Sequence, residues 1–209
     1  MINLQKIRNE SLQRAAELGY SINENLPLLD QPDIQRGKDE IVDRTLALFG
    51  AVAHSYGFPA QAVKSWLQSE NLTKSLSLSE RSFLDNSPKD QQARFQGYVE
   101  ALWALAWILE INPSLDFEAL CSNDFIHLFP NLKTGESGKA FRDRAALMPL
   151  YKIMEKADLA YCLHWGAVNS KVSGKQQSGK VPPHVIVNRR KALDWVIGSD
   201  AWDEVPLDT

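Results

Sequence analysis

Seven residues from Gly174 to Lys180 read Gly-Lys-Gln-Gln-Ser-Gly-Lys. This is the Gly-x-x-x-x-Gly-Lys spacing with which backbone N–H groups and a lysine cradle phosphates. That chemistry also needs a Ser or Thr next, to hold magnesium, with a strand before the loop and a helix directly after it. Here Val181 follows, then Pro182 and Pro183, and the preceding segment is helical in pattern. The stretch therefore reads as a basic surface loop. A second near match runs from Gly135 to Lys139, but Lys133 stands at the first glycine position and Ala140 at the magnesium hydroxyl. The four histidines, His54, His127, His164 and His184, have no metal-ligand spacing, and neither do Cys121 and Cys162. Cys162 lies two residues before His164, and positions two apart on a helix do not face each other. No zincin, nucleophile-elbow or paired-carboxylate signature is present. These residues predict no catalytic group, no metal and no cofactor.

Charge in the wrong place is the stronger signal. At about 100° per residue, Arg8 falls between Leu4 and Leu12, in the middle of an apolar face. Arg189 falls between Val185 and Leu193 in the same way. Arg44 lies at the edge of a third apolar face, beside Leu48 and Ala51 and four residues after Glu40. A guanidinium keeps its proton in a protein, so one that faces a core needs a carboxylate or carbonyl partner there. Candidate partners are Glu40, Glu80, Glu100, Asp203 and Asp208. The favoured reading is a structural ion-pair network. A pocket for a small anionic ligand is the alternative. Glu100 shares its wheel face with Ala93, Gln96, Gly97 and Ala104, so it is expected to be exposed or paired with an arginine. Trp103 and Trp107, four apart, are expected to line one buried side.

The elements that must position these residues are helical. Leu4, Ile7, Leu12, Ala15 and Leu18 define a first helix that stops at Gly19. A second is expected over residues 38–56, with Gly57 and Pro59 ending it, and a short third carries Val63, Trp66 and Leu67. Ser77 and Glu80 form a capping-box pattern ahead of Phe83 and Leu84. A long helix is expected over 90–111, between Pro88 and Pro113. Shorter helical pieces are expected at 117–120 and 123–129, and a helical stretch over 139–168 with an interruption at Pro149. Residues 170–181 are rich in Gly, Ser, Lys and Gln and read as a flexible loop. Pro182 and Pro183 open a last helix that reaches residue 197. The β-branched run Val185 to Val187 is assigned to that helix because the apolar spacing continues through Leu193 and Val196. The expected fold is all-α: a compact array of about eight helices of unequal length, in one domain over residues 1–209.

Composition bounds the function. The chain has 209 residues, 44% hydrophobic and 23% charged, as expected for a folded chain. A formal charge of −3 and a pI near 5.8 give no general attraction to nucleic acid. The most apolar run, residues 101–109, is a helix of about 14 Å, too short to cross a membrane. The N-terminus lacks the apolar run of a secretory signal, and two unpaired thiols suit a reducing, cytoplasmic setting.

Several pieces, in order along nearly the whole chain, resemble a bacterial family known as domain of unknown function 4272. They are Arg8-x-x-Ser11, Glu40-x-x-x-Arg44-x-x-Ala47-Leu48, Ser79-Glu80-x-x-Phe83-Leu84 and Glu100-Ala101-Leu102-Trp103-x-Leu105-x-Trp107. Leu163-His164-Trp165, Arg189-x-x-Ala192-Leu193-x-Trp195 and the ending from Trp202 and Asp203 to Asp208 and Thr209 complete the set. The resemblance assigns no activity. It does include Arg8, Arg44 and Arg189, and it implies that the acidic tail 198–209 docks on the helices. The function is unassigned by sequence. The preferred reading is a non-enzymatic protein-interaction protein with an unidentified protein partner, for instance of antitoxin or immunity type. A domain for a small anionic ligand and an enzyme of unrecognised class, using Glu100, His164 or Asp203, are the alternatives.

Overall fold

The computed structural model describes residues 2–30, 36–174 and 179–209. Among them are nine α-helices and no strand: α1 (Leu4–Glu17), α2 (Lys38–Ser55), α3 (Ala60–Ser69), α4 (Leu78–Asn86), α5 (Lys89–Gly97), α6 (Val99–Ile108), α7 (Lys139–Arg144), α8 (Leu150–Val172) and α9 (Pro183–Ile197). The all-α, single-domain expectation holds. Local signals set the helix starts. The Asn3 side chain accepts from the Lys6 N–H at 3.0 Å to open α1. Ser77 and Glu80 make the full capping box of α4. Pro183 occupies the first turn of α9, where a missing N–H is harmless.

The helices pack in two groups. One is a row in which α1 lies on α8, α8 on α9 and α9 on α6. The other surrounds α2, which touches α3, α4, α5 and α6. Because α6 belongs to both, it is apolar all round apart from Glu100, and nearly every side chain is buried. In α8, Gly166 lets the Tyr20–Ser21 backbone cross closely: a Cβ there would sit 2.7 Å from the Ser21 carbonyl oxygen.

Three expectations need correction. The long helix over 90–111 is two helices, because the ladder tightens at Tyr98. Its N–H reaches Phe95 O at 3.2 Å, and the Gly97 carbonyl accepts from the Asn188 side chain at 3.0 Å. The piece at 117–120 is not helical, and the one expected over 123–129 is a 3₁₀ run, Asn123–Leu128. Between α7 and α8 the chain is extended, and the Ala146 and Met148 N–H groups donate to Leu109 O (3.0 Å) and Ile108 O (2.8 Å). The residue before Pro149 is biased away from helix, which keeps α7 and α8 apart. At its other end α8 runs on to Val172, past the expected stop. Of the loop reading over 170–181, residues 170–172 are helical and residues 175–178 lie outside the described residues. Trp103 is half-buried and meets Phe125 edge-on, while Trp107 is buried.

Candidate functional site

Each arginine found on an apolar face is buried. Arg8, 1% exposed, points from α1 into α8. Its Nε and Nη2 donate to Asp158, the latter at 2.7 Å, and its Nη1 and Nη2 donate to Leu26 O (2.5 Å) and Pro27 O (2.8 Å). One side chain thus joins α1, α8 and the segment that follows α1. Arg189, also 1% exposed, donates from Nε and Nη2 to Glu100 (2.9 and 2.5 Å), and to the carbonyls of Asp116 and Ala119. The other Glu100 oxygen accepts from the Cys121 N–H at 3.1 Å. Arg189 and Glu100 therefore hold the non-helical 116–121 segment onto the α6–α9 pair.

Arg44 donates to Glu80, which is fully buried, and to Ser75 O at 2.6 Å. Its guanidinium carbon lies 5.0 Å from the ring centre of Trp202, which is buried in the tail. Asp203 beside it accepts from the Ser79 N–H (2.9 Å) and Oγ (2.7 Å), inside the first turn of α4, where backbone N–H groups favour an anion. These bonds hold the Asp203 carboxyl below its ordinary range against the opposing effect of burial. Tail and helices meet here, but Asp203 pairs with no arginine. Asp208 likewise offers only its backbone carbonyl, to Arg190 Nη1 at 3.1 Å. Glu40 is exposed and lies 3.4 Å from Arg36. Of the five proposed acidic partners, Glu80 and Glu100 meet the arginines that were singled out.

Several buried polar residues escaped the sequence reading. Asp158, the partner of Arg8, sits in an apolar stripe between Met154 and Cys162, a signal of the same kind as the arginines. Arg190 is buried next to Arg189. It donates to Asp194 (2.9 Å), touches His164 Nδ1 (2.8 Å) and stacks over Tyr161 at 4.6 Å. Arg36 closes the C-terminal end of α9 by donating to the carbonyls of Trp195, Gly198 and Asp200. Lys191 is buried with its ammonium 5.3 Å from the Trp202 ring centre. Burial lowers its pKa, and Asp203 acts in the opposite direction.

The groups named for an unrecognised enzyme are taken up separately: Glu100 by Arg189, His164 by Arg190 and Asp203 by Ser79. Burial, then the neighbouring Glu100, pushes the Cys121 thiol up to about 12. Burial, then Asp158, pushes Cys162 up to about 12 as well. Neither sulfur is a thiolate nucleophile near neutral pH. Among the described residues, no three His, Cys, Asp or Glu side chains are grouped to hold a metal. No helix among them is long and apolar enough to cross a membrane.

Two open features flank α2. At its N-terminal half a cleft of about 690 Å³ lies between α2, the 74–78 segment and the tail turn Trp202–Glu204. It brings Glu40, Arg44, Trp202 and Asp203 to one place. At the C-terminal end, three adjoining hollows of about 820, 750 and 320 Å³ share Tyr56. Tyr56 is 62% exposed, and Leu120 and Ile126 are each more than half exposed. Beneath them Phe49 stacks on Phe129, with ring centres 4.7 Å apart. Arg94 and Lys133 stand on the rim with no acidic partner among the described residues, joined by His127 and His184. Of the carboxylates there, Glu136 accepts the Asn131 N–H (2.8 Å) and Glu100 is neutralised by Arg189.

The family model described as a domain of unknown function, DUF4272, matches residues 7–205. The chain belongs to the DUF4272 family. The match takes in Arg8, Arg44, Arg189 and the Trp202–Asp203 contact, so the buried polar framework lies within the DUF4272 domain. No curated protein and no solved structure gives a significant match. The framework of this DUF4272 chain must therefore be read from its own geometry.

Proposed function

We propose that this protein is a binding module, not a catalyst, and that the groove around Tyr56 receives an apolar segment of a partner protein that carries flanking acidic residues. One observation carries the reading. Tyr56, Leu120 and Ile126 leave adjoining apolar hollows open to solvent, while Arg8, Arg44 and Arg189 are buried and paired elsewhere in the fold. Concave apolar surfaces with a polar rim are what peptide-binding grooves offer. The rim supplies the charge preference: Arg94 and Lys133 are unneutralised, and Glu136 is occupied. Inward pairing of Arg8, Arg44 and Arg189 speaks against a pocket built from them for an anion. An antitoxin- or immunity-type partner would be one instance of such binding, and two free thiols suit a cytoplasmic setting.

The test uses fluorescent twelve-residue peptides with a Leu/Phe centre, flanked either by Asp and Glu or by Lys, followed by anisotropy. Acidic-flanked peptides should bind at least fivefold more tightly. The double variant Tyr56→Ser, Ile126→Glu should lose that binding while keeping its melting temperature. Equal binding of both peptide sets, or a double variant that binds like the native chain, would overturn the reading.

A further inference from the structure

Two residues that line the cleft at the other end of α2 carry hydrogen-bond donors that the fold does not use. Arg44 Nε and Trp202 Nε1 are both buried and have no acceptor among the described residues. Their side chains stack on one another, and both line the cleft. Leaving a buried N–H without an acceptor costs about 1–3 kcal/mol, so two in one place call for an explanation.

Neither group can accept, so whatever completes the cleft must supply acceptor oxygens. Charge then narrows the chemistry. Glu80 already balances Arg44 inside the fold. With Glu40 and Asp43 paired to Arg36 and Arg142, the lining still carries the carboxylates of Asp39, Asp203 and Glu204 against Lys74 and Arg81. An anion entering there would meet more negative charge than positive. A neutral carbonyl satisfies the donors without that penalty, and a cationic group beside it would gain from the rim. The lining adds apolar surface, including Leu78, which is 80% exposed. Neutral carbonyls, apolar side chains and basic side chains occur together in a polypeptide.

We propose that this cleft binds a short basic peptide segment, whose main-chain carbonyls accept from Arg44 Nε and Trp202 Nε1 while its Lys or Arg side chains meet Asp39 and Glu204. Both N–H groups are shielded from solvent and Trp202 is buried, so seating the segment requires the turn Trp202–Glu204 to move outward. The turn's side-chain tie to α4 is Asp203 on Ser79. The site is separate from the groove around Tyr56 and has the opposite charge preference.

The experiment follows the assigned indole N–H resonance of Trp202 in the ¹⁵N-labelled full chain. The probe is N-acetyl-Lys-Leu-Lys-amide, and the comparison peptide has Glu in place of both lysines. The basic peptide should move the Trp202 resonance downfield and saturably. The surface double variant Asp39→Asn, Glu204→Gln should weaken that response at least fivefold without changing the fold. A Trp202 resonance that does not move, an equal response to the acidic peptide, or an unchanged response in the double variant would each overturn the proposal. Failure here leaves the reading of the Tyr56 groove intact, because that peptide assay reads different residues.

Discussion

The two ends of α2 solve opposite problems. Toward its N-terminal end, Arg44 is drawn inside, paired with Glu80 and covered by Trp202. About two thirds of the helix length away, just past its C-terminal end, Tyr56 is left in the open beside Leu120 and Ile126. At 1.5 Å per residue the 12 residues from Arg44 to Tyr56 span about 18 Å. One end has an ion pair, Arg44 with Glu80, buried beside an open cleft, where a missing partner is expensive. The other has apolar groups exposed to water, where each costs little singly but together they form a surface. A sealed polar end should respond to substitution through stability, and an open apolar end through binding.

The largest expected effect breaks the sealed end. Glu80→Ala leaves Arg44 buried and uncompensated, which should destabilise the fold by about 4 kcal/mol. In a domain of this size that lowers the melting temperature by roughly 10 °C. Calorimetry at neutral pH checks it. A shift under about 2 °C would mean that Arg44 finds water instead, and the contrast between the two ends would lose its basis.

The tail is held a second time, where Arg190 meets Asp208 O, His164 and Asp194. Burial, reinforced by Arg190, holds His164 at about 4 instead of 6.5. Its folded pKa is depressed, so the unfolded chain takes up the proton first. This group's stabilisation is complete above 6.5 and is lost as pH falls through 4. Burial pushes Asp194 the other way, from 3.8 up to about 6, against the opposing effect of Arg190. There the folded chain binds the proton first, so lowering the pH from 6 toward 3.8 relieves a penalty. The two slopes have opposite sign and nearly cancel in the native chain. His164→Gln should gain about 3 kcal/mol relative to the native protein between neutral pH and pH ~4, and Asp194→Asn should lose a similar amount. Urea titrations at three pH values measure both. Parallel slopes for the two variants would show that these groups do not titrate as their surroundings dictate.

A smaller effect tests the tail's contact with α4. Asp203→Ala removes an acceptor from the Ser79 N–H and Oγ, at a position that is exposed as a whole. Loss of such a capping contact should cost about 1 kcal/mol, or roughly 3 °C. Hydrogen exchange at the Ser79 amide should rise, while amides in α6 stay protected. Uniform acceleration throughout the chain would make the tail part of the global folding unit.

The sealed parts were legible in the sequence to the extent that a helical wheel can see them. Arg8 and Arg189 stand at the centre of apolar stripes, and burial follows from that position alone. Glu80 was readable for a second reason, its place in the α4 capping box. Asp158 carries the same wheel signal as the arginines, but in α8 attention falls on Cys162 and His164 instead. Arg36 and Arg190 left no readable sign. The first caps a helix distant in sequence, and the second is buried because α9 is enclosed by both α6 and α8. The groove around Tyr56 has no period at all. It is assembled from residues near 56, 99 and 120–136, and a helical pattern cannot report where separate loops converge. The break at Tyr98 was hidden for a related reason, since the Asn188 contact that marks it comes from a helix 90 residues on.

The smallest expected change on stability is at Tyr56, and it sharpens the comparison most. Its ring is mostly in water, and its one hydroxyl contact, to Gln96 O, is long at 3.5 Å. A surface residue without a strong bond should change stability by no more than about 0.5 kcal/mol when replaced. Tyr56→Ser should therefore melt within about 2 °C of the native chain. Beside Glu80→Ala, that places two substitutions on or just beyond one helix with roughly an eightfold difference in cost. If Tyr56→Ser instead melts 5 °C or more below the native chain, by the same scaling its ring supports the packing of Phe49 and Phe129. The apolar end would then be core that happens to show, and a partner would no longer be needed to explain it.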